Sequence, residues 1–395
     1  MRQVRWASWM VGLAMALAIC GVRPVAADVT SDRAAAILDW PTVVYFESGF
    51  PLLDPSIGIN TIIQLSNTSL EPVHVHCFYE NANPHCTNTG QVCYAAEECC
   101  DTLTGCGLCL PGWNETDFHV QITPRQPLGW LASDGVAGYD TTPEKKFGKF
   151  AIDGVSNFGI GGSSNAVSRI PGVPEEPFLG SLRCIAVDVD GFPVDRNVLK
   201  GEATIGATIT SPTPSEPNFI NVGKSNAIGI LALEGQVNDD NVLVLGGPEP
   251  EYNGCPNILI LNHFFDFAED PIIDDGSQIF TILNLVPCSE DYLRQQPGGA
   301  VVQYLVYNEF ETRFSTSRPM QCNQFSLLSN IDTTQNERSI WSAGVQGTLT
   351  GQTRANPLGG GLLAVAHEIH EEAGLADFNV HYQGDREDPD FIILP

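Results

Sequence analysis

Six cysteines lie within 24 residues of this chain, at Cys86, Cys93, Cys99, Cys100, Cys106 and Cys109. A segment of this size buries too little apolar surface to hold a fold of its own, so cross-links or a metal must stabilise it. The redox compartment decides between the two, because disulfides persist in oxidising surroundings and clustered thiols in reducing ones commonly bind metal.

The N-terminus has the pattern of an export signal. Arg2 and Arg5 precede an apolar stretch from Trp6 to Ile19, and the small residues of Val25-Ala26-Ala27 suit cleavage by a signal peptidase. We predict a signal peptide at residues 1–27 and a secreted, periplasmic or cell-surface protein. Export favours disulfides over zinc among the six cysteines.

Two other interpretations of the N-terminus stay open, namely a retained anchor helix and a lipoprotein signal that uses Cys20. The apolar stretch is shorter than the roughly 20 residues that cross a bilayer. Ile19 is also larger than the residue expected before a lipidated cysteine. We therefore expect a free mature chain of 368 residues with no membrane span.

The mature chain keeps eleven cysteines. Five lie outside the cluster: Cys77, Cys184, Cys255, Cys288 and Cys322. Because eleven is odd, at least one cysteine is unpaired or pairs with another chain. The only zinc-knuckle spacing, Cys106 to Cys109, lacks a second ligand pair. The spacing C-x6-C-x5-CC-x5-C-x2-C resembles small cystine-knot peptides, although spacing leaves the connectivity open.

The mature chain is strongly acidic. Cleavage leaves 16 Lys and Arg against 47 Asp and Glu, a formal charge of −31. Such a surface repels phosphate backbones, which argues against nucleic-acid binding. It favours solubility, and it would also attract divalent cations or cationic partners.

Alternating apolar and polar residues predict many short strands. The pattern is clear at Thr61–Ser66, Val73–Tyr79, Phe118–Ile122 and Leu182–Asp188. Further short strands broken by Gly, Pro, Asn and Asp follow up to residue 350. We predict an all-β fold of two antiparallel β-sandwich domains with a disulfide-rich loop insert and one short C-terminal helix at Leu362–Glu372.

Composition suggests how the chain is divided. Residues 133–175 are rich in Gly, Ser, Pro and Asn, which is typical of a connection. We predict a first sandwich at 28–135 that carries the insert 86–109, a linker or irregular loop at 136–175, and a second sandwich at 176–395.

Two segments of the chain share one sequence pattern. Val73–Asn81 and Val301–Glu309 are each an alternating run that ends in an aromatic residue followed by Asn and Glu in either order, and each is followed later by a tryptophan, Trp130 or Trp341. In this arrangement the chain resembles the immunoglobulin-like β-sandwich modules of exported bacterial proteins. The resemblance implies two related sandwiches and a role in contact with other molecules.

Histidines give the first candidate metal site. His74 and His76 share one face of a predicted strand, and His119 would join them if its strand pairs with theirs. Neutral imidazoles on neighbouring strands suit zinc or copper. The competing interpretation is an ordinary solvated sheet face.

Aspartates give a second candidate. Asp188, Asp190 and Asp195 could offer oxygens to calcium, but the spacing lacks the distal bidentate glutamate of a full calcium loop. Asp190-Gly191 is also a favoured hairpin turn, which needs no ligand.

The sequence Ala366–Glu372 contains HExH, one residue short of the HExxH of zinc proteases. We expect a solvated helix face there. No sequence signature of a nucleophile is present.

We expect a non-enzymatic exported protein for surface interaction, adhesion or envelope structure, with an unknown protein or glycan ligand and no required cofactor. The sequence leaves the oligomeric state open. The alternatives are a hydrolase or carbohydrate-active enzyme on a β scaffold and a metal-binding protein that uses zinc or calcium.

Overall fold

The computed structural model describes residues 33–47, 57–93, 96–135, 170–209, 218–273, 276–332, 338–344, 347–371 and 374–395. The predicted signal peptide and most of the predicted linker lie outside these residues. The fold is nearly all β and is built from several antiparallel sheets, which confirms the predicted class.

The strands of the described residues fall into three groups along the chain. The first group is β1 (Ile37–Phe46), β2 (Ile57–Asn67), β3 (Val73–Asn81), β4 (His85–Cys86), β5 (Cys100–Asp101), β6 (Gly105–Cys106), β7 (Cys109–Leu110), β8 (Asn114–Ile122) and β9 (Pro127–Leu131). The second group is β10 (Phe178–Val187), β11 (Leu199–Ile209), β12 (Asn218–Asn226), β13 (Ile228–Ile230), β14 (Val242–Leu245), β15 (Pro256–Phe264), β16 (Ala268–Glu269), β17 (Gln278–Pro287) and β18 (Glu290–Asp291). The third group is β19 (Gly299–Asn308), β20 (Arg313–Gln321), β21 (Gln324–Leu327), β22 (Thr350–Leu358), β23 (Leu362–His370), β24 (Gly374–Asn379), β25 (His381–Asp385) and β26 (Asp390–Ile393).

A nine-stranded sheet dominates the first half of the chain. Its order is β12-β11-β2-β1-β10-β3-β8, with β13 added to β1 and β9 added to β2. Strand β10 lies between β1 and β3 and pairs with both. The boundary predicted between residues 135 and 176 therefore does not separate two sheets, because strands from both sides of it pair in this one.

The core of the nine-stranded sheet includes one face of β3. On β3, Val73, Val75 and Cys77 point inward and are fully buried. Trp130 is also fully buried, and its indole Nε1 donates a 2.7 Å hydrogen bond to the hydroxyl of Tyr79. The Cys77–Cys184 disulfide joins directly opposed residues of β3 and β10.

Two antiparallel sheets form the second half. One has the order β20-β19-β22-β15-β25, and the other has the order β16-β17-β23-β24 with β21 added to β17. Both sheets contribute to one apolar core that includes Phe265, Leu285, Tyr304 and Trp341. We call this unit the two-sheet core. A small third sheet, β14-β26-β18, contributes Leu243, Leu245 and Ile392 to the apolar core of the nine-stranded sheet.

The prediction of a helix at Leu362–Glu372 is wrong. Leu362–His370 forms the central strand β23, which pairs with β17 along its whole length and with β24 on its other side. A strand buried on both faces is a continuous apolar run, which periodicity does not distinguish from a buried helix. The described part of the chain has a short α-helix, α1 (Leu328–Ile331), and a turn of 3-10 helix at Ala96–Cys99.

Candidate functional site

The cysteine cluster forms an insert between β3 and β8 that is closed by three disulfides. They join Cys86 to Cys99, Cys93 to Cys109, and Cys100 to Cys106. The predicted disulfides are therefore present, and the first, second and fourth cysteines pair with the third, sixth and fifth. The cysteines of the CxxC lie in two different disulfides, so they are not thiolate ligands of zinc.

The insert presents apolar side chains to solvent. Leu103, Leu108 and Leu110 are 92%, 62% and 47% exposed. The carboxylate of Asp101 accepts hydrogen bonds from the backbone N–H groups of Leu103, at 2.6 Å, and Thr104, at 3.1 Å. These bonds fix the turn that carries Leu103, and they lower the pKa of Asp101.

The base of the insert is tied to Glu175, the last residue of the predicted linker. Glu175 Oε1 accepts hydrogen bonds of 2.7 Å from the amides of Asn81 and Asn83, and its Oε2 lies 3.1 Å from His85 Nε2. Burial raises the pKa of Glu175, and these side-chain hydrogen bonds outweigh it to give a lowered pKa. The insert is thus held in one orientation on the sheet.

Two of the three predicted histidines meet on the face of β3 and β8 opposite Val75 and Cys77. His76 and His119 are directly opposed in the ladder, and their rings stack with centroids 3.9 Å apart. Asp117, which sequence reasoning did not select, joins them, with its Oδ2 3.0 Å from His76 Nε2. One ligand atom from each of the three residues lies within 4.8 Å of the others. His74 lies on the same face opposite Gln121 and is not part of this group.

The environment favours a neutral imidazole at His76. This residue is 5% exposed, while Asp117 and His119 are exposed. Burial lowers the pKa of His76, although its hydrogen bond to Asp117 opposes this effect. The ring of Phe78 lies 4.2 Å away and covers the imidazole on the other side.

The aspartates of the second candidate do not converge. Asp188 Oδ1 accepts hydrogen bonds from the backbone N–H groups of Asp190 and Phe192, so it closes its own hairpin turn. Asp195 Oδ2 instead accepts from the N–H of Gly235, at 2.9 Å. The groups of potential ligands found among the described residues do not include these three aspartates. This arrangement agrees with the hairpin interpretation of Asp190-Gly191.

An ionic cluster is buried where the nine-stranded sheet meets the two-sheet core. Arg183 is fully buried, and its guanidinium lies 2.7 Å from the carboxylate of Asp39. It also donates to the carbonyl oxygens of Pro287, at 2.7 Å, and Cys288, at 3.2 Å. These bonds connect β1 and β10 of the first half to the end of β17 in the second.

Two further carboxylates lie in the same cluster. The hydroxyl of Tyr292 donates to Glu80, which also accepts a 2.6 Å hydrogen bond from Ser181. Glu290 accepts from the N–H of Gly298 at 2.8 Å. Burial raises the pKa of Asp39 to about 7 and that of Glu290 well above its usual range, although Arg183 opposes both shifts. We call Asp39, Glu80, Arg183, Glu290 and Tyr292 the buried ionic cluster.

An acid, an imidazole and a hydroxyl also line up between the halves. His367 Nδ1 lies 2.7 Å from Asp377 Oδ1, and His367 Nε2 lies 2.8 Å from the hydroxyl of Thr42. The order resembles a nucleophile relay, but all three side chains are almost fully buried. Asn284 also donates to the Thr42 hydroxyl, at 2.7 Å. The group therefore connects β1 to β23 and β24 without facing a substrate.

The HExH motif does not assemble a metal site. Because Leu362–His370 is a strand, His367 and His370 point to opposite faces. His370 lies between Asp270, at 2.6 Å, and Glu368, at 3.0 Å, and these bonds outweigh its burial and raise its pKa.

The unpaired cysteine of the described residues is Cys322. It is buried, and burial raises the pKa of its thiol. A disulfide from Cys322 to another chain would need an exposed thiol, and this thiol is buried.

Two surface clefts lie on the sheets of the second half. One of about 730 Å³ is lined by Pro111, Val301, Met320 and Leu358, with Arg318 as its charged side chain. Another of about 430 Å³ contains Glu309. That carboxylate already accepts hydrogen bonds from the residues around Thr348, so it is committed to a loop.

Comparison with models of protein families and with curated proteins gives no match to this chain. No helix within the described ranges is long and apolar enough to cross a membrane.

Proposed function

We propose that this chain is an exported, non-enzymatic β protein that contacts a partner protein through the exposed leucines of its disulfide insert. The observation that carries the proposal is the exposure of Leu103, Leu108 and Leu110 on a segment that three disulfides hold in shape. Three exposed apolar side chains within eight residues of one cross-linked segment are a feature of interaction surfaces. The resemblance to immunoglobulin-like modules of exported proteins belongs to this proposal.

The disulfides make the insert suitable for binding. A loop that is already ordered loses little conformational entropy when a partner binds, so more of the contact energy appears as affinity. The hydrogen bonds of Glu175 to Asn81 and Asn83 add to this order at the base.

Charge indicates the chemistry of the partner. Residues 86–110 contain Glu97, Glu98 and Asp101 but no Lys or Arg, and all three acids are exposed. A surface that offers an apolar group flanked by Lys or Arg would complement the leucines and the acids together.

Peptide-display selection on the mature chain tests the proposal. We expect the enriched peptides to combine apolar and basic residues and to bind at least about tenfold more weakly to the variant L103S/L108S/L110S. The matched control is L70S/L293S/L358S, which changes three other exposed leucines and should bind as the unchanged chain does.

Failure to enrich any peptide, or equal binding to both variants, would overturn the proposal. A glycan array run in parallel separates the glycan alternative. Glycan binding that survives the substitution of Leu103, Leu108 and Leu110 would favour a ligand site elsewhere on the sheets.

A further inference from the structure

We propose that His76, Asp117 and His119 form a binding site for a divalent transition-metal cation, with Zn²⁺ as the ion that fits best. The site lies on β3 and β8, at the edge of the nine-stranded sheet. It is independent of the insert leucines, and it goes beyond the proposed contact function.

The ladder register places the ligands. His76 and His119 are opposed across β3 and β8, and Asp117 precedes His119 by two residues, so all three side chains leave the same face. The three ligand atoms already lie within 4.8 Å of one another. Rotation of these side chains would bring the three ligand atoms onto one metal ion.

One ligand–ligand distance is close to that of tetrahedral coordination. Two ligand atoms bound to zinc at 2.0–2.1 Å lie about 3.4 Å apart. His76 Nε2 and Asp117 Oδ2 are 3.0 Å apart. His119 is exposed, so its ring can turn toward the other two ligands at little cost. A fourth position would remain open to solvent.

The surroundings hold the first ligand in place and favour a cation. His76 is 5% exposed and packs against the ring of Phe78, which limits its rotation. The exposed carboxylate of Asp117 supplies the negative charge that a cation needs at this place.

The donor set selects the kind of ion. Two imidazoles and one carboxylate suit zinc and other borderline first-row metals, including copper, which binds such sites more tightly than zinc. Calcium prefers six to eight oxygen ligands, which these residues do not supply. The assignment is therefore a borderline first-row divalent cation, tested here as zinc, and not calcium.

Isothermal titration of the mature, disulfide-intact chain with ZnCl2 tests the site. We expect one Zn²⁺ per chain, retention of Zn²⁺ in excess Ca²⁺, and at least about tenfold weaker binding by H119A and by D117N. Both substitutions change exposed side chains, so folding should survive. Substitution with Co²⁺ should give the visible absorption of a four-coordinate site in the unchanged chain and not in H119A.

The matched controls are H74A, on the same face outside the group, and H381A, an exposed histidine of β25. Both should bind zinc as the unchanged chain does. No heat with excess Zn²⁺ would overturn the proposal. So would several weak sites that H119A leaves intact, or a loss of binding in H74A equal to that in H119A.

Discussion

The insert at 86–109 and the buried ionic cluster hold the chain together by different means. The insert has almost no apolar core, since its buried side chains are cystines, and it turns leucines outward. The ionic cluster is enclosed by protein and connects β1, β3 and β10 to residues 287–292 through one guanidinium and three carboxylates. Covalent bonds tolerate solvent, whereas buried charges are stable only while every partner stays in place.

The two regions should respond differently to substitution. Damage to the insert should stay local, because its disulfides close loops within one segment. Damage to the ionic cluster should affect the whole molecule, because its members come from both halves. Substitutions in the two regions should therefore differ both in the size of their effect and in how far it spreads.

Removal of Arg183 should cause the largest loss of stability. R183M leaves Asp39, Glu80 and Glu290 buried without their cation, and loss of one partner from a buried ion pair costs about 3–5 kcal/mol. Urea unfolding followed by fluorescence would measure the loss. The control is R196A, which removes a surface pair with Glu71 and should cost at most about 1 kcal/mol. Equal effects of the two substitutions would contradict the contrast.

Stability should fall with rising pH through the ionic cluster. Burial raises the pKa of Asp39 from an ordinary 3.8 to about 7, so the folded chain binds a proton that the unfolded chain releases. The corresponding stabilisation is complete below about pH 4 and is lost as pH rises through 7.

The matched variant D39N removes this titration. Denaturation at pH 4, 5.5 and 7 should show the unchanged chain losing stability relative to D39N as pH rises. A constant difference between the two would show that Asp39 does not titrate in this range.

Loss of a single insert disulfide should have a smaller and local effect. C100S/C106S opens a short loop, and the chain entropy that this cross-link removes from the unfolded state corresponds to roughly 2 kcal/mol. Hydrogen exchange should increase within 96–110, while the far-ultraviolet β signal and the main melting transition stay unchanged. Collapse of the whole β signal would show that the insert supports the sheets.

The smallest effect on stability should come from the exposed leucines. L103S changes a side chain that is almost fully solvated, so the free energy of unfolding should change by less than about 0.5 kcal/mol. Thermal melting of L103S beside the unchanged chain measures this. A larger loss would mean that the tip of the insert packs on the protein instead of facing a partner.

Local pattern was enough for much of the fold. The alternation at Val73–Tyr79 and Phe118–Ile122 predicted β3 and β8 and the outward face of His76. The sequence did not show that His76 lies directly opposite His119, because this depends on the pairing of β3 with β8. Asp117 was missed because one acid among 47 carries no sequence signal, although its spacing of two from His119 places it on the same face.

Composition and a period of two residues were sufficient to predict the β class, the acidic surface, the oxidised insert and most strand positions. The pairing of strands was needed to show that β10 enters the first sheet, that Leu362–His370 is a central strand, and that Asp39, Glu80, Arg183 and Glu290 share one buried cluster. These features join residues up to about 250 positions apart in the chain. Their formation depends on strand order and on burial, and neither leaves a local pattern in the sequence.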